Sequence, residues 1–114
     1  MEFNLFNQLY SEALESPSLE LYVGERGWQD WMNGYDAKEI ANILSAIYSL
    51  ANSSLAGSRE GSRAEFARKF DIPVRTLEDW DSGKRVPPIY VKKLIGYVIY
   101  MEQLYGQQRE IKSE

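Results

Sequence analysis

The chain contains no cysteine and no histidine among its 114 residues. The absence of cysteine excludes a disulfide framework, a zinc ribbon and a thiol nucleophile, because each of them needs the sulfur atom. The absence of histidine removes the side chain that most often acts as a metal ligand or general base near neutral pH. With no nucleophile–base pair or metal-ligating cluster elsewhere, the sequence predicts a protein that is not an enzyme and uses neither metal nor cofactor.

Long apolar segments are also missing. No run approaches the roughly 18 residues that a membrane-spanning helix needs. The N-terminal segment 1–4 contains an acid and lacks the basic, then apolar, pattern of a secretion signal. Hydrophobic residues make up 44% and charged residues 26% of the chain, the balance of a folded protein and not of a disordered one. We therefore expect a cytoplasmic protein with one core, with or without a small appendage, and no membrane contact.

Charge is distributed unevenly along the chain, whose net charge is −4. Residues 1–58 carry eight acidic and two basic groups, and residues 94–114 carry three acidic and two basic ones. Residues 59–93, in contrast, carry nine basic and six acidic groups. A net negative charge argues against nucleic acid as a partner, but a basic segment within the chain can still meet a polyanion. The chain therefore has a basic middle and an acidic front, and its net charge alone does not exclude a nucleic-acid partner.

The N-terminal third of the sequence is predicted to be mostly helical. A helix over 4–15, with Leu5 and Leu9 on its apolar side, ends before Pro17, because proline disfavours helical geometry in the residue before it. Residues 19–23 suit either a short strand or an extended connector. After two glycines, four large apolar residues fall at helical spacing on one face of a short helix: Trp28, Trp31, Met32 and Tyr35.

A longer, buried helix is predicted next. Asp36 and Glu39 form a capping box, which satisfies two backbone N–H groups at the start of the helix. Ile43 and Leu50 lie a quarter-turn away from the main apolar stripe, so neighbours are expected on two sides. The main stripe consists of Ala37, Ile40, Ala41, Leu44, Ile47, Tyr48 and Ala51.

The glycine-containing segment 55–61 follows this helix. Its glycines suggest a phosphate loop, but the spacing and the final Lys-Ser/Thr of such a loop are missing. The segment is therefore expected to be a plain loop.

Residues 62–88 have the pattern of two short helices joined by a tight turn. Ser62, with a glutamate three residues later, forms a second capping box, Pro73 suits the first position of the next helix, and Gly83 suits its left-handed end. A small residue at Ala67 lets the second helix cross closely. Leu77 and Trp80 fix the angle of that helix, so that its outer face protrudes and can enter a DNA major groove. The expected buried positions are Phe66, Ala67, Phe70, Ile72, Leu77 and Trp80.

This stretch resembles the helix-turn-helix of the Xre/Cro/C1 repressor family, most of all its small regulators and antitoxins. Their second helix reads Ile-Pro-x-Arg-Thr-Leu-x-x-Trp-Glu-x-Gly-x-Arg-x-Pro. The resemblance covers about residues 59–105 and implies an all-α fold: a compact helical bundle that contains a Cro/C1-type helix-turn-helix and follows a mostly helical N-terminal extension. The corresponding positions are Ile72, Pro73, Arg75, Thr76, Leu77, Trp80, Asp81, Gly83, Arg85 and Pro87.

The sequence departs from the family pattern at three positions. Asp71 stands at the turn where glycine is usual, Asp81 stands in place of glutamate, and Arg63 replaces a glutamine that commonly contacts phosphate. Aspartate tolerates left-handed backbone better than most residues, so the turn is expected to form. The expected domains are an acidic N-terminal extension over 1–35, a helix-turn-helix domain over 36–106 and a polar tail over 107–114.

The resemblance also implies roles for residues on and near the recognition helix, expected at about 73–82. Val74 would pack on a thymine methyl group, and Arg75 would donate two hydrogen bonds to a guanine edge. Asp79 would accept from a cytosine amino group or hold Arg75 in place. Phosphate contacts, which set register without reading sequence, are implied for Arg63, Thr76, Lys84 and Arg85.

Simpler structural roles are open for the same residues. Arg75 and Asp79 can form an ordinary helical ion pair, Lys84 and Arg85 can complement the helix dipole, and Asp81 can cap the helix or brace Arg85. Acidic residues on or near the expected DNA face argue against DNA binding there: Glu78, Asp79 and Asp81.

A long C-terminal helix is predicted from Pro88 to Tyr105, ended by Gly106. Its apolar area exceeds what one small domain covers, which favours a homodimer that presents two recognition helices to half-sites about 34 Å apart. Coverage of this helix by the N-terminal segment within one monomer is the alternative. The main apolar face consists of Val91, Leu94, Ile95, Val98, Met101 and Tyr105, and further apolar residues are Tyr97, Ile99, Tyr100 and Leu104.

Two functional hypotheses follow from the sequence. The first is a sequence-specific transcriptional regulator, a repressor that binds double-stranded DNA through the helix-turn-helix. The second is a protein-interaction module, such as an antitoxin or a phage-encoded inhibitor of a host protein, that acts through the acidic N-terminal segment. Trp28 and Trp31 in that segment are either core residues or part of a protein-binding surface. The acids around them are Glu20, Glu25, Asp30, Asp36 and Glu39.

Overall fold

The computed structural model describes residues 1–105, and all regular structure in that range is helical, which confirms the predicted all-α class. None of the helices in this range is both long and apolar enough to cross a bilayer. The chain divides into two units, Met1–Asn52 and a second that begins at Ser53. The predicted boundary lies between residues 35 and 36, so the helix Ala37–Asn52 belongs to the first unit and not, as predicted, to the second. The predicted tail over 107–114 lies outside the described residues, as does the predicted helix end at Gly106.

The first unit consists of three helices and one short 3₁₀ turn. Helix α1 spans Phe3–Glu15, α2 spans Leu19–Gly24, the 3₁₀ turn spans Asp30–Met32, and α3 spans Ala37–Asn52. Helix α3 packs against both α1 and α2. Its place in this unit explains the shifted boundary, because its apolar side is covered by the N-terminal helices. The buried residues of α1 and α3 are Phe6, Leu9, Tyr10, Ala13, Ile43, Leu44, Ile47, Leu50 and Ala51.

Two local predictions in this unit are wrong. The segment predicted as a strand or connector is helix α2, because Ser18 caps it by accepting a hydrogen bond from the Leu21 N–H at 3.2 Å. Buried Tyr22 fixes α2 by donating its hydroxyl to the Leu9 carbonyl at 2.7 Å. The short helix predicted around Trp28 is only the 3₁₀ turn, and the Trp28 side chain is 66% exposed.

The start of α3 is as predicted, whereas its buried side is rotated. The Asp36 N–H donates to Glu39 Oε1 at 3.1 Å, and the Glu39 N–H donates to Asp36 Oδ1 at 2.8 Å, which completes the capping box. Ala37 is exposed, and Ile43 lies in the core. Both residues of the second predicted stripe, Ile43 and Leu50, are therefore buried, together with three residues of the first, Leu44, Ile47 and Ala51.

Over residues 53–105, the described part of the second unit, the chain forms four helices and a π-helical turn. Helix α4 spans Leu55–Ser58, α5 spans Arg63–Phe70, α6 spans Val74–Ser82, α7 spans Ile89–Tyr100, and the π turn spans Met101–Tyr105. The loop predicted over 55–61 is wrong in its first half, because Ser54 Oγ accepts from the Gly57 N–H at 3.1 Å and nucleates α4.

The buried side of α7 also differs from the prediction. Leu94 and Val98, placed on the predicted buried face, are 49% and 36% exposed. Ile95 is in the core as predicted, but it is joined there by Ile99 and Tyr100, which lie off the predicted face, so the buried side is turned toward those two residues. Periodicity could not decide this point, because apolar residues surround the whole helix.

Candidate nucleic-acid interface

The turn between α5 and α6 has the tight left-handed geometry that the sequence predicts. Asp71 ends α5 with φ 53° and ψ 44°, in the left-handed region. The N–H of the next residue, Ile72, donates to the Ala67 carbonyl at 2.9 Å and closes the helix end. Helix α6 then begins after Pro73, whose carbonyl accepts from the Leu77 N–H at 3.1 Å. The two helices are thereby joined through only three residues.

The packing of α5 against α6 depends on a small apolar cluster. Phe66 and Ala67 of α5 are 5% and 4% exposed, and Leu77 of α6 is fully buried. The rings of Phe66 and Phe70 lie 4.8 Å apart between centroids. Trp80, predicted as core, is half-buried. Leu77 is therefore the main apolar anchor of α6.

The predicted base-reading residues occupy different environments on α6. Val74 is 46% exposed, and Arg75 beside it is exposed as well, both in the first turn of the helix. Asp79 is half-buried, and its Oδ2 lies 3.7 Å from Nε of Arg85. The ion-pair partner of Asp79 is thus Arg85, and the predicted pairing of Asp79 with Arg75 is not formed. Arg75 projects from α6 without that carboxylate.

A two-arginine cluster forms around Asp81 in the last turn of α6. Arg59 donates through Nη1 to Oδ1 at 2.9 Å and through Nη2 to Oδ2 at 2.6 Å. Arg63 donates through Nε to Oδ2 at 2.8 Å. The side chains of Arg59 and Asp81 are only 10% and 9% exposed, whereas that of Arg63 is 46% exposed. The predicted role of Asp81 as a cap or brace for Arg85 is therefore wrong, since its carboxylate is occupied by other arginines.

The electrostatics of this cluster follow from the hydrogen bonds. The Arg59 hydrogen bond, with a smaller contribution from Arg63, holds the pKa of Asp81 below its ordinary value despite the opposing effect of burial. The same carboxylate raises the pKa of Arg59. The Arg59 guanidinium also lies over the Phe66 ring, 5.4 Å from its centroid. The cluster carries one negative and two positive charges, so it is a net cation.

No role for Arg59 could be predicted from the sequence, because its partner is distant in the chain. Arg59 and Asp81 are separated by 22 positions, beyond any helical spacing rule. The available signal was an arginine just before a capped helix, together with an acid at the end of the next one.

The predicted phosphate-binding residues gather mainly at the C-terminal end of α6. Arg63 is held there by Asp81, and exposed Lys84 and Arg85 follow Gly83, which ends α6 with φ 80°. Thr76 is half-buried nearer the start of the helix. Since α6 has nine residues, its two ends are about 13 Å apart. The arrangement separates the exposed pair at the start of α6 from a cationic group at its end.

Comparisons with known proteins add no relative. No protein-family model, curated protein or solved structure matches the chain significantly. The likeness to the Xre/Cro/C1 family is thus carried by the residues quoted above. Within residues 1–105, no group of three acidic side chains is placed to hold a metal ion.

Proposed function

We propose that the protein is a cytoplasmic, sequence-specific DNA-binding regulator that places α6 in a major groove and represses transcription. The single observation that carries this proposal is the exposure of Val74 and Arg75 on a helix that buried Leu77 anchors from the other side. An arginine in this position can donate two hydrogen bonds to a guanine, worth about 1–3 kcal/mol of discrimination between bases.

The cationic group at the end of α6 supports the same function. Arg63, Lys84 and Arg85 can contact phosphates and set the register of α6 on the duplex, although they carry no sequence information. The acidic residues that argued against DNA binding are partly neutralised inside the protein. Asp81 forms ion pairs with Arg59 and Arg63, and Asp79 forms a longer one with Arg85.

A homodimer is part of this proposal. Tyr90, Leu94 and Val98 lie four residues apart along α7 and are 65%, 49% and 36% exposed. A stripe of this kind suits a second copy of the chain, and a two-fold dimer would present two copies of α6 to half-sites about one helical turn of DNA apart.

The decisive experiment is selection from random double-stranded oligonucleotides with the purified protein, followed by gel shifts on the enriched sequence. R75A is expected to lose preference for that sequence over a scrambled one. R68A is the matched control, because Arg68 is also exposed but lies on α5 without a predicted base contact. Failure to enrich any sequence, or full preference in R75A, would refute the proposal.

A second candidate function rests on the first unit. Residues 1–52 carry eight acidic and two basic groups, and Trp28 exposes 66% of its side chain among them. Exposed tryptophans are enriched at protein interfaces. This combination suits a basic protein partner, as expected for an antitoxin or an inhibitor of a host protein.

Pull-down with the tagged protein tests this candidate. W28A and the exposed charge reversals E20K, E25K and D30K should lose a partner that the wild type retains, while DNA binding stays unchanged. E2K, a reversal of another exposed acid, is the matched control. A partner retained equally by all variants would rule out this surface.

A further inference from the structure

A groove of about 470 Å³ opens in the second unit beside the end of α6. Its walls are formed by the start of α4, the last turn of α6, the loop that follows and the first turn of α7. This volume lies within the range of small-molecule sites, roughly 300–1,000 Å³. The groove is separate from the exposed face at the start of α6 that is proposed to read bases.

Apolar side chains dominate the groove. Leu55 and Trp80 line it, together with Val86 and Ile89, which are 84% and 51% exposed. Two large aliphatic side chains at the mouth of one concavity are unfavourable in water, and a ligand that covered them would gain hydrophobic free energy. The groove therefore favours an occupant with an apolar body.

The charged residues around the groove determine whether a negatively or a positively charged ligand is favoured. Asp81 lines the groove, but its two oxygens already accept from Arg59 and Arg63. The other charged residues of the wall are Arg85 and Lys92. Arg85 lies 3.7 Å from Asp79, beyond hydrogen-bond distance, and its side chain is 68% exposed. A bound anion is therefore favoured over a cation.

Partial burial reinforces this choice at Lys92. Desolvation lowers the pKa of its ammonium group. An anion placed beside that group would offset the desolvation and make the charged form more favourable.

We propose that this groove binds a small amphipathic anion, with its apolar body against Leu55, Val86 and Ile89 and its carboxylate at Arg85 and Lys92. A ligand that engages Arg85 also withdraws a predicted phosphate contact, so occupancy weakens DNA binding; this second part rests on the proposed function. The shared chemistry, an apolar body with one carboxylate, can come from an aliphatic acid or an aromatic one.

Titration of the full ¹⁵N-labelled protein, followed by amide chemical shifts, tests the binding. The probes are decanoate for the aliphatic source and 1-naphthoate for the aromatic one, with 1-decanol and 1-naphthalenemethanol as neutral counterparts. At least one acid should give saturable shifts at Leu55, Val86, Ile89 and Lys92, with an affinity about tenfold above its alcohol. Equal affinity for acid and alcohol, or shifts elsewhere only, would overturn the proposal.

Three variants sharpen the test. K92Q should weaken binding of the acid about fivefold or more, whereas K93Q, one residue along α7 and outside the groove wall, should leave it within about twofold. V86D places a negative charge at a highly exposed position, so it should fold normally and abolish binding. Unchanged affinity in both K92Q and V86D would overturn the proposal.

The effect on DNA is measured separately, by gel shift with the selected oligonucleotide. A saturating concentration of the bound acid should raise the Kd for DNA about threefold or more in the wild type and not in V86D. An unchanged Kd would overturn the regulatory part alone. Failure to select any DNA sequence would remove the proposed function, while the groove would still be judged by the titration.

Discussion

Arg59 and Asp81 form a two-pronged ion pair that joins the segment before α5 to the last turn of α6, with N–O distances of 2.9 and 2.6 Å. The left-handed turn at Asp71 already joins the two helices at their other ends. The helix-turn-helix is thus fastened at both ends, once by backbone and once by side chains. The orientation of α6 depends on a polar contact as well as on Leu77.

Removal of the Asp81 carboxylate should destabilise the protein strongly. D81A leaves the guanidinium of Arg59, whose side chain is 10% exposed, without its acceptor, and the free energy of unfolding should fall by about 3 kcal/mol. D79A is the control: its partner Arg85 is 68% exposed, so the loss should stay below about 1 kcal/mol. Urea unfolding by circular dichroism measures both, and equal losses would contradict the assignment.

The same carboxylate should make stability depend on acid. The folded-state pKa of Asp81 lies below its ordinary value of about 3.9, so its stabilising effect is complete above that value and is lost as the pH falls through the folded-state pKa. The stability difference between wild type and D81N should be constant from about pH 7 to 5 and shrink below about pH 4. Urea unfolding at several pH values checks this, and a difference at about pH 2 as large as that at about pH 7 would be inconsistent with it.

The two left-handed helix ends should respond oppositely to substitution. D71G relieves a non-glycine residue at φ 53° and should raise stability by roughly 0.5–1 kcal/mol. G83A introduces strain at φ 80° and should lower stability by about 1 kcal/mol, although a Cβ there meets no atom within 4 Å. Thermal unfolding of the two variants measures the pair. Shifts of the same sign would mean that backbone conformation is not the cause.

The cations at the end of α6 should act on DNA without regard to sequence. K84A and R63A should each weaken binding to specific and scrambled DNA alike, and each should reduce the slope of log K against log salt by about 1. K38A, on exposed Lys38 of α3, is the control and should keep the wild-type slope. Fluorescence anisotropy across a salt series gives the slopes. A sequence-dependent loss would assign the two residues to base reading instead.

Features fixed by short-range interactions could be predicted from the sequence. The capping box of Asp36 and Glu39, the Ser62 cap of α5, the left-handed Asp71 and the end of α6 at Gly83 each depend on residues within one helical turn. Features fixed by contacts between residues distant in the chain could not be predicted from the sequence. Helix α2 was missed because a buried tyrosine hydroxyl, 13 positions from its acceptor, fixes a segment too short to be read alone.

The candidate site divides in the same way. The resemblance to the Xre/Cro/C1 recognition helix implies that Val74 and Arg75 lie on an exposed face, and both are exposed. Arg75, four residues before Asp79, is the predicted ion-pair partner of that carboxylate. The observed partner is Arg85, because the chain turns back after α6 and brings the Arg85 side chain within reach. Sequence spacing predicts contacts between residues of one helix. It does not predict contacts that form when the following loop folds back onto that helix.

The π turn that follows α7 limits how far another helix can run alongside it. The backbone of a π turn does not follow the 3.6-residue period of an α-helix, so the rows of residues three and four apart do not continue past Tyr100. The exposed stripe of Tyr90, Leu94 and Val98 is therefore confined to the 12 residues of α7 from Ile89 to Tyr100, a length of about 18 Å. A second helix could therefore pack along this row over only about three turns. The affinity of such a dimer would be sensitive to each side chain in those turns.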